Sequence, residues 1–259
     1  MGCNAQPSGY THGYYSRLLP QLVRTWRELF GVRFAALVVQ LAAYGSTDAT
    51  PAQRSSDGLP LLREAQRSVY EAPPSGLVHP IDTADNGLNV PLWTPTTCGE
   101  HGGIHPRNKT EVGRRLALRL AVIEGVLPAG AIGESPRPGS ASQSGGVVTL
   151  ALDAATSPGV ALVPTADCET IGNVKQCCQS AASGAVSYPF ELRLADNSTY
   201  IVASAALQGG DAAPAVTLAP VDATQKGLFT GVRYAWQGVP LCSVTNAGSL
   251  PMGPFVINI

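Results

Sequence analysis

The sequence predicts an α/β domain followed by an all-β domain, because the pattern of apolar residues changes near the middle. The first half combines helical periodicity with a short apolar run, whereas the second half has short β-prone runs separated by turns. A stretch rich in Gly, Pro and Ser lies between them. With 259 residues and 44% apolar content, the chain can form two modest cores. We therefore expect domains at 1–127 and 147–259, joined by a linker at 128–146.

The first domain is predicted to alternate helices with strands. Apolar residues at helical spacing indicate an amphipathic helix over 14–30, and the apolar run 34–41 is typical of a strand covered on both faces. A second helix is expected over 59–70 and a second strand over 76–82. This alternation is typical of the α/β class.

A third helix is predicted directly after a long loop. Pro106 suits the first helical position, and an apolar stripe continues to Leu127. His105 is therefore expected at a helix N-terminus.

The second domain is predicted to contain strands without helices. Turn residues separate its β-prone runs, which are GVVTLALDA, PFELRLA, TYIVASAAL, PAVTLAP, GVRYAW and PFVINI. Their spacing favours a small sandwich or jelly-roll-like module.

Composition and charge argue against several classes of partner. A net charge of -1 with scattered basic residues gives no footprint for nucleic acid. The sequence has no apolar run long enough to span a membrane, and its start lacks the apolar core of a signal peptide. The six cysteines form no C-x-x-C pair, so no metal is expected.

Two glycosylation sequons begin at Asn108 and Asn197, and Cys177 and Cys178 are adjacent. Together they favour an oxidising compartment, although buried free thiols are an equal alternative for the cysteines. The compartment, the disulfide pairing and the oligomeric state stay open.

Three segments resemble one family of enzymes. The segment 104–117, IHPRNKTEVGRRLA, is similar to the histidine block of the sialate O-acetylesterase family, which is of the SGNH-hydrolase type. The segment 4–41 resembles the family region that follows its glycine-asparagine block. The segments 232–236 and 250–255 resemble the end of the family's β domain, and all these matches occur in family order.

The resemblance implies both a fold and an activity. It implies the C-terminal part of a flavodoxin-like three-layer SGNH domain, followed by an all-β sandwich-like domain. It also implies hydrolysis of O-acetyl esters of sialic acid, or of a related acetylated sugar, without a metal or other cofactor.

The resemblance assigns His105 as the catalytic base and acid. In such chemistry the histidine takes the proton of a serine hydroxyl and returns it to the leaving sugar oxygen. The positive end of a helix dipole would disfavour the imidazolium and keep the ring available as a base. Without the surrounding block, His105 would be interpreted as a helix cap.

Two further site residues are predicted. Asn4 matches the family asparagine that donates to the oxyanion, although an Asn so near the chain start could equally be without a role. Glu100 is the nearest carboxylate before His105, with Asp82 and Asp85 as alternatives, and a plain dyad is also open.

The serine nucleophile is missing from the sequence. The family serine belongs to a Gly-Gln-Ser-Asn turn, which these residues do not contain. Ser144 follows the histidine, lies in the expected linker and lacks the strand-turn-helix context of a nucleophile. We therefore expect the chain to be catalytically incomplete and to need a missing N-terminal half as partner.

Two alternatives to an esterase stay open. The chain could be a sugar-binding remnant in which aromatic side chains stack on sugar rings, or an interaction module resting on the β domain. The candidate aromatic residues are Trp26, Trp93, Tyr234 and Trp236.

Overall fold

The computed structural model describes residues 9–31, 34–41, 58–71, 81–85, 109–164, 189–237, 240 and 242–259. Three helices lie in these ranges: α1 (Gly9–Phe30), α2 (Gly58–Glu71) and α3 (Lys109–Ile123). The same ranges hold eleven strands: β1 (Ala36–Val39), β2 (Ile81–Asp85), β3 (Pro138–Ser144), β4 (Val147–Leu152), β5 (Ala161–Pro164), β6 (Phe190–Leu194), β7 (Tyr200–Gln208), β8 (Ala215–Pro220), β9 (Phe229–Tyr234), β10 (Cys242–Thr245) and β11 (Phe255–Asn258).

A seven-stranded antiparallel sheet dominates the described part of the chain. Its strand order is β11-β9-β6-β7-β8-β4-β3, and the two edge strands β11 and β3 approach each other. The sheet is therefore nearly closed, like a barrel. Strands β10 and β5 form a separate antiparallel pair, and β1 and β2 form a parallel pair.

The predicted flavodoxin-like three-layer α/β fold is wrong. Most described strands are antiparallel, parallel pairing is confined to β1 and β2, and three helices accompany them in the described ranges. The predicted sandwich is replaced by one sheet that curls on itself. The alternation of helices and strands in the first half led to the α/β prediction. A sequence pattern indicates that a strand is buried, but it does not indicate how many other strands pair with it.

The six β-prone runs of the second half are confirmed as strands. In β4, Val148, Leu150 and Leu152 are buried, whereas Val147 and Thr149 point to the exposed face. This alternation places one face of each strand in the core. The interior is formed by Val148, Leu150, Phe190, Leu192, Ala203, Val216, Leu218, Phe229, Val232, Tyr234, Val244, Met252 and Phe255.

Tyr234 lies at the centre of this core. Its ring centroid is 4.8 Å from that of Phe190 and 5.5 Å from that of Phe255. Its hydroxyl accepts a 2.7 Å hydrogen bond from the backbone N–H of Val244, which attaches β10 to the large sheet. Burial raises the pKa of Tyr234 above its usual value, so the hydroxyl stays neutral.

Strand β3 lies within the range predicted to be a linker. It pairs with β4 through a two-residue turn, Gly145-Gly146, whose φ angles are 58° and 81°. Such a turn needs positive φ at both positions, which glycine supplies without steric cost. The division into domains stays a prediction.

Helix α1 confirms the first predicted helix, with an earlier start at Gly9. Val23 is buried and packs with Leu19 against Phe34, Ala36 and Val38, so α1 covers β1. The helix ends at Phe30, and Gly31 follows with a φ of 62°, which permits a left-handed cap. The Gly31 N–H donates to the carbonyl of Arg27 at 3.1 Å.

Helix α3 ends earlier than predicted. Its described residues run from Lys109 to Ile123, so it ends before Leu127. The predicted start at Pro106 lies outside the described residues. The N–H of Gly125 donates to Val122 O and that of Val126 donates to Ala121 O, a Schellman motif with Gly125 at a φ of 67°. The glycine ends the helix although the apolar stripe continues.

None of the helices in the described ranges has the length and apolar character that a membrane span requires.

Adjacent glycines in the β7–β8 connection provide a test of the fold. Gly209 and Gly210 both have positive φ, but a Cβ at Gly209 would lie 1.8 Å from the carbonyl oxygen of Ala213, whereas a Cβ at Gly210 would meet nothing within 4 Å. Gly210→Ala should cost about 1 kcal/mol of unfolding free energy for its left-handed backbone. Gly209→Ala should cost about 2 kcal/mol more, because the backbone must move. Equal urea midpoints for the two variants would contradict this connection.

Candidate functional site

The predicted catalytic residues lie outside the described part of the chain. His105 and Glu100 fall in the range 86–108, and Asn4 falls in 1–8. Their roles stay predictions. The structure does describe the elements on either side of them, which are β1, β2 and α3.

The elements on either side of the segment 86–108 pack together, and β1, β2 and α3 form one small unit. Strand β2 runs parallel to β1, with Val39 paired to Asp85, so the carboxyl ends of the two strands lie side by side. Helix α3 contacts both strands. The segment 86–108, which contains His105, lies between the carboxyl end of β2 and the first described residue of α3 in the sequence.

A buried polar network stabilises the carboxyl end of β1. Gln66 donates to the carbonyl of Val39 at 3.1 Å and accepts from the N–H of Leu41 at 2.9 Å. Gln40 donates to the carbonyl of Arg63 at 2.8 Å. These side chains satisfy backbone groups of Val39, Leu41 and Arg63, and they fix α2 against β1.

Arg63 extends the network to the large sheet. Its guanidinium donates to Leu41 O at 2.8 Å and to Gln237 O, beyond β9, at 2.9 Å. The side chain is fully buried, and desolvation lowers the pKa of Arg63 to about 9. This role could not be predicted from the sequence, since an arginine in an amphipathic helix is ordinarily assigned to the solvent face.

The start of α3 carries a charge cluster. Glu111, in the first turn, accepts hydrogen bonds from Arg114 at 2.7 and 2.8 Å and from buried Arg115 at 2.8 Å. The hydrogen bond from Arg114, with that from Arg115, lowers the pKa of Glu111 to about 2. His105 lies outside the described residues, so its predicted place at a helix N-terminus stays a prediction.

Helix α3 is attached to the large sheet through Glu134. This carboxylate forms ion pairs with Arg119 of α3 and with Arg137, which precedes β3. A Cβ at Gly133 would lie 2.4 Å from the side chain of Val122, so the connection lies flat on the helix. The connection belongs to the range expected to be a linker, yet ion pairs and close packing fix it at both ends.

Asn246 closes the same junction from the other side. Its buried amide donates to Glu134 O at 2.7 Å and to Thr156 O at 2.9 Å, and its oxygen accepts from the N–H groups of Gly248 and Leu250 at 3.1 Å. All the capacity of its NH₂ group and both lone pairs of its oxygen are used. One side chain thus joins three segments distant in sequence.

Ser144 has surroundings that differ from those of a nucleophile. It ends β3 beside the Gly145-Gly146 turn, and its neighbour Gln143 donates to Gly227 O at 2.7 Å and accepts from the N–H of Phe229 at 2.8 Å. This segment therefore connects strands of the sheet.

The aromatic candidates for sugar stacking have different environments. Tyr234 and Trp236 are buried, with exposed fractions of 0% and 6%, so their faces are not available to a sugar. Trp26 is 43% exposed on α1. Trp93 lies outside the described residues.

Within the described ranges, no group of three or more His, Cys, Asp or Glu side chains is arranged to hold a metal ion. Cys242 is buried and disulfide-bonded, and the other five cysteines lie outside those ranges.

Replacing Arg63 tests the buried network. Arg63→Met should lower the unfolding free energy by about 2–4 kcal/mol, because the carbonyls of Leu41 and Gln237 lose their donors. Arg17→Met, at an exposed position of the neighbouring helix, should change it by less than about 0.5 kcal/mol. Urea unfolding followed by circular dichroism measures both. Similar losses in the two variants would argue against the network.

The charge cluster of α3 predicts a pH dependence. The pKa of Glu111 in the folded chain is about 2, below its usual 4.5. The contribution of Glu111 to the free energy of unfolding is therefore complete above about pH 4.5 and is lost as the pH falls through 2. Glu111→Gln should cost about 1–2 kcal/mol at pH 7, allowing for partial solvation, and almost nothing near pH 2. Glu124→Gln, at the exposed end of the helix, is the matched control. If the difference in unfolding free energy between the Glu111 variant and the unaltered chain did not change with pH, it would contradict the role of the Glu111 carboxylate in the charge cluster.

Comparison with protein families and with curated proteins gives no match. Among solved structures, the chain is similar to a novel carbohydrate acetylesterase from Xanthomonas citri, with a TM-score of 0.66 and 24% sequence identity. The match covers 97% of this chain and 48% of the solved chain. The chain therefore spans about half the length of that protein and shares the fold of the matched half.

Proposed function

We propose that this chain is the histidine-bearing part of a carbohydrate acetylesterase. The observation that carries the proposal is the block 104–117 with His105, in a chain whose fold is similar over nearly its whole length to part of a carbohydrate acetylesterase. The reaction is hydrolysis of an O-acetyl ester on a sugar hydroxyl. Sialic acid is the proposed sugar, on the sequence resemblance alone.

In the proposed reaction His105 acts on a serine supplied by a segment outside these residues. The imidazole takes the serine proton while the serine oxygen bonds to the acetyl carbon, and it then protonates the leaving sugar oxygen. The imidazole then takes a proton from water while the water oxygen bonds to the acetyl carbon, and it returns this proton to the serine oxygen as the bond between serine and the acetyl group breaks and acetate leaves. Asn4 would donate a hydrogen bond to the oxyanion, and Glu100 would orient the imidazole.

The contacts of α3 support a positioning role for this helix. Its described residues begin at Lys109, it packs on β1 and β2, and it is attached to the large sheet through Arg119 and Glu134. A catalytic base must be held to within a fraction of an ångström, and a helix held by such contacts is a suitable support.

The exposed face of α1 supports an additional, nucleophile-bearing segment. Large apolar side chains with exposed fractions of 43–73% recur every three or four residues along this helix and end in an adjacent pair: Tyr14, Leu18, Leu22, Trp26, and then Leu29 and Phe30. A contiguous apolar surface of this kind marks a covered interface. This chain matches about half of the solved acetylesterase. A segment corresponding to the unmatched half would be long enough to cover the apolar face of α1.

The sugar-binding alternative is less well supported. Of its four candidate aromatic residues, Tyr234 and Trp236 are buried, and Trp26 belongs to the apolar face of α1. A β-domain interaction module has no specific observation in its favour.

The decisive experiment begins with the transcript. We expect the reading frame to continue upstream of Met1 and to encode a Gly-Gln-Ser-Asn segment. The product of that longer frame should release acetate from an O-acetylated sialoside, whereas the 259 residues alone should not exceed background. His105→Ala should lower the rate at least about a thousandfold in a folded protein. An acetylated xylooligosaccharide, tested in parallel, reports whether the sugar is sialic acid.

The α1 face is tested in the same longer product. Leu22→Glu should weaken activity and stability together, whereas Gln21→Glu, about 100° around the helix, should leave both unchanged. An in-frame stop codon directly upstream of Met1, or activity that His105→Ala leaves intact, would contradict the proposed function. Activity on the xylooligosaccharide alone would contradict only the choice of sugar.

A further inference from the structure

The tip of the β6–β7 hairpin is a fully exposed segment. All five of its residues, Ala195, Asp196, Asn197, Ser198 and Thr199, are exposed to solvent. The strands on either side are inner strands of the large sheet, and each contributes to its core. The tip can therefore carry a bulky group without disturbing the packing beneath it.

Asn197 occupies an exposed turn position with a left-handed backbone. Its φ is 58°, a left-handed conformation that asparagine tolerates better than most residues, and its N–H donates to Leu194 O at 3.0 Å. Its side-chain amide makes no hydrogen bond to any described residue. The nucleophilic atom of the sequon, Asn197 Nδ2, is thus presented to solvent.

Asp196 orders the rest of the sequon. One carboxylate oxygen accepts from the N–H groups of Ser198 at 2.9 Å and Thr199 at 2.8 Å, and the other accepts from the Thr199 hydroxyl. The turn is therefore well defined by local hydrogen bonds, without help from the Asn197 side chain.

A second observation concerns the compartment. Cys242, in β10, is fully buried and disulfide-bonded. Disulfides persist in oxidising compartments, which are also those in which oligosaccharides are transferred to Asn-X-Ser/Thr. The disulfide and the exposed sequon point to the same environment independently of each other.

We propose that Asn197 is an N-glycosylation site. The donor class is a lipid-diphosphate-linked oligosaccharide. Asn197 Nδ2 bonds to the anomeric carbon of the first sugar, the bond from that carbon to the diphosphate oxygen breaks, and Nδ2 loses one proton. The lipid diphosphate leaves with the electron pair of the broken bond. The proposal is independent of the esterase activity.

The test is a mass measurement on the chain secreted by cultured mammalian cells behind a cleavable leader. We expect a mass increase that peptide-N-glycosidase removes, and digestion in heavy-oxygen water should leave a labelled aspartate in place of Asn197. Asn197→Gln and Thr199→Ala should abolish this modification. Ser198→Ala, at the unconstrained middle position of the sequon, is the matched control and should retain it.

The other sequon separates the possible outcomes. Asn108→Gln should leave the modification at Asn197 in place. A secreted, folded chain with no glycan at Asn197 would overturn the proposal, as would a mass increase that disappears only in Asn108→Gln. Circular dichroism on each variant confirms that a missing glycan does not reflect a chain that fails to fold.

Discussion

The junction around Glu134 and Asn246 is the constraint on which the described structure depends. The Glu134 carboxylate pairs with arginines on both sides of the connection, and the Asn246 amide satisfies backbone groups of three separate segments. A buried side chain with all its hydrogen bonds made stabilises a single arrangement, because any displacement leaves several polar groups without partners. The position of helix α3 relative to the large sheet is therefore well defined.

A second set of polar contacts has the same effect on α2 and β1. Arg63 joins α2, the carboxyl end of β1 and the segment after β9. The parallel pair β1–β2 is too short to be stable by itself, so its position is determined by these contacts and by the apolar packing of α1. In the proposed esterase, both junctions would hold the elements on either side of the segment 86–108, which contains His105.

Much of the local structure could be predicted from the sequence, and the assembly could not. The helices near 14–30 and 59–70 and the six strand segments of the second half follow from periodicity, and all are present. The three-layer fold was wrong because apolar runs do not specify which strands pair. Strand β3 was missed because Pro138–Ser144 is polar, and its pairing depends on the Gly145-Gly146 turn.

By itself the sequence determined the position and type of most helices and strands, and the histidine block on which the proposed function rests. These are local properties, encoded in residue spacing and in short motifs. The tertiary structure alone decided that the large sheet closes on itself, that Arg63 is buried, and that Glu134 and Asn246 fix the expected linker. Such features need residues more than a hundred positions apart to meet, and the free energy that stabilises them comes from desolvation and hydrogen bonds formed only in the folded chain.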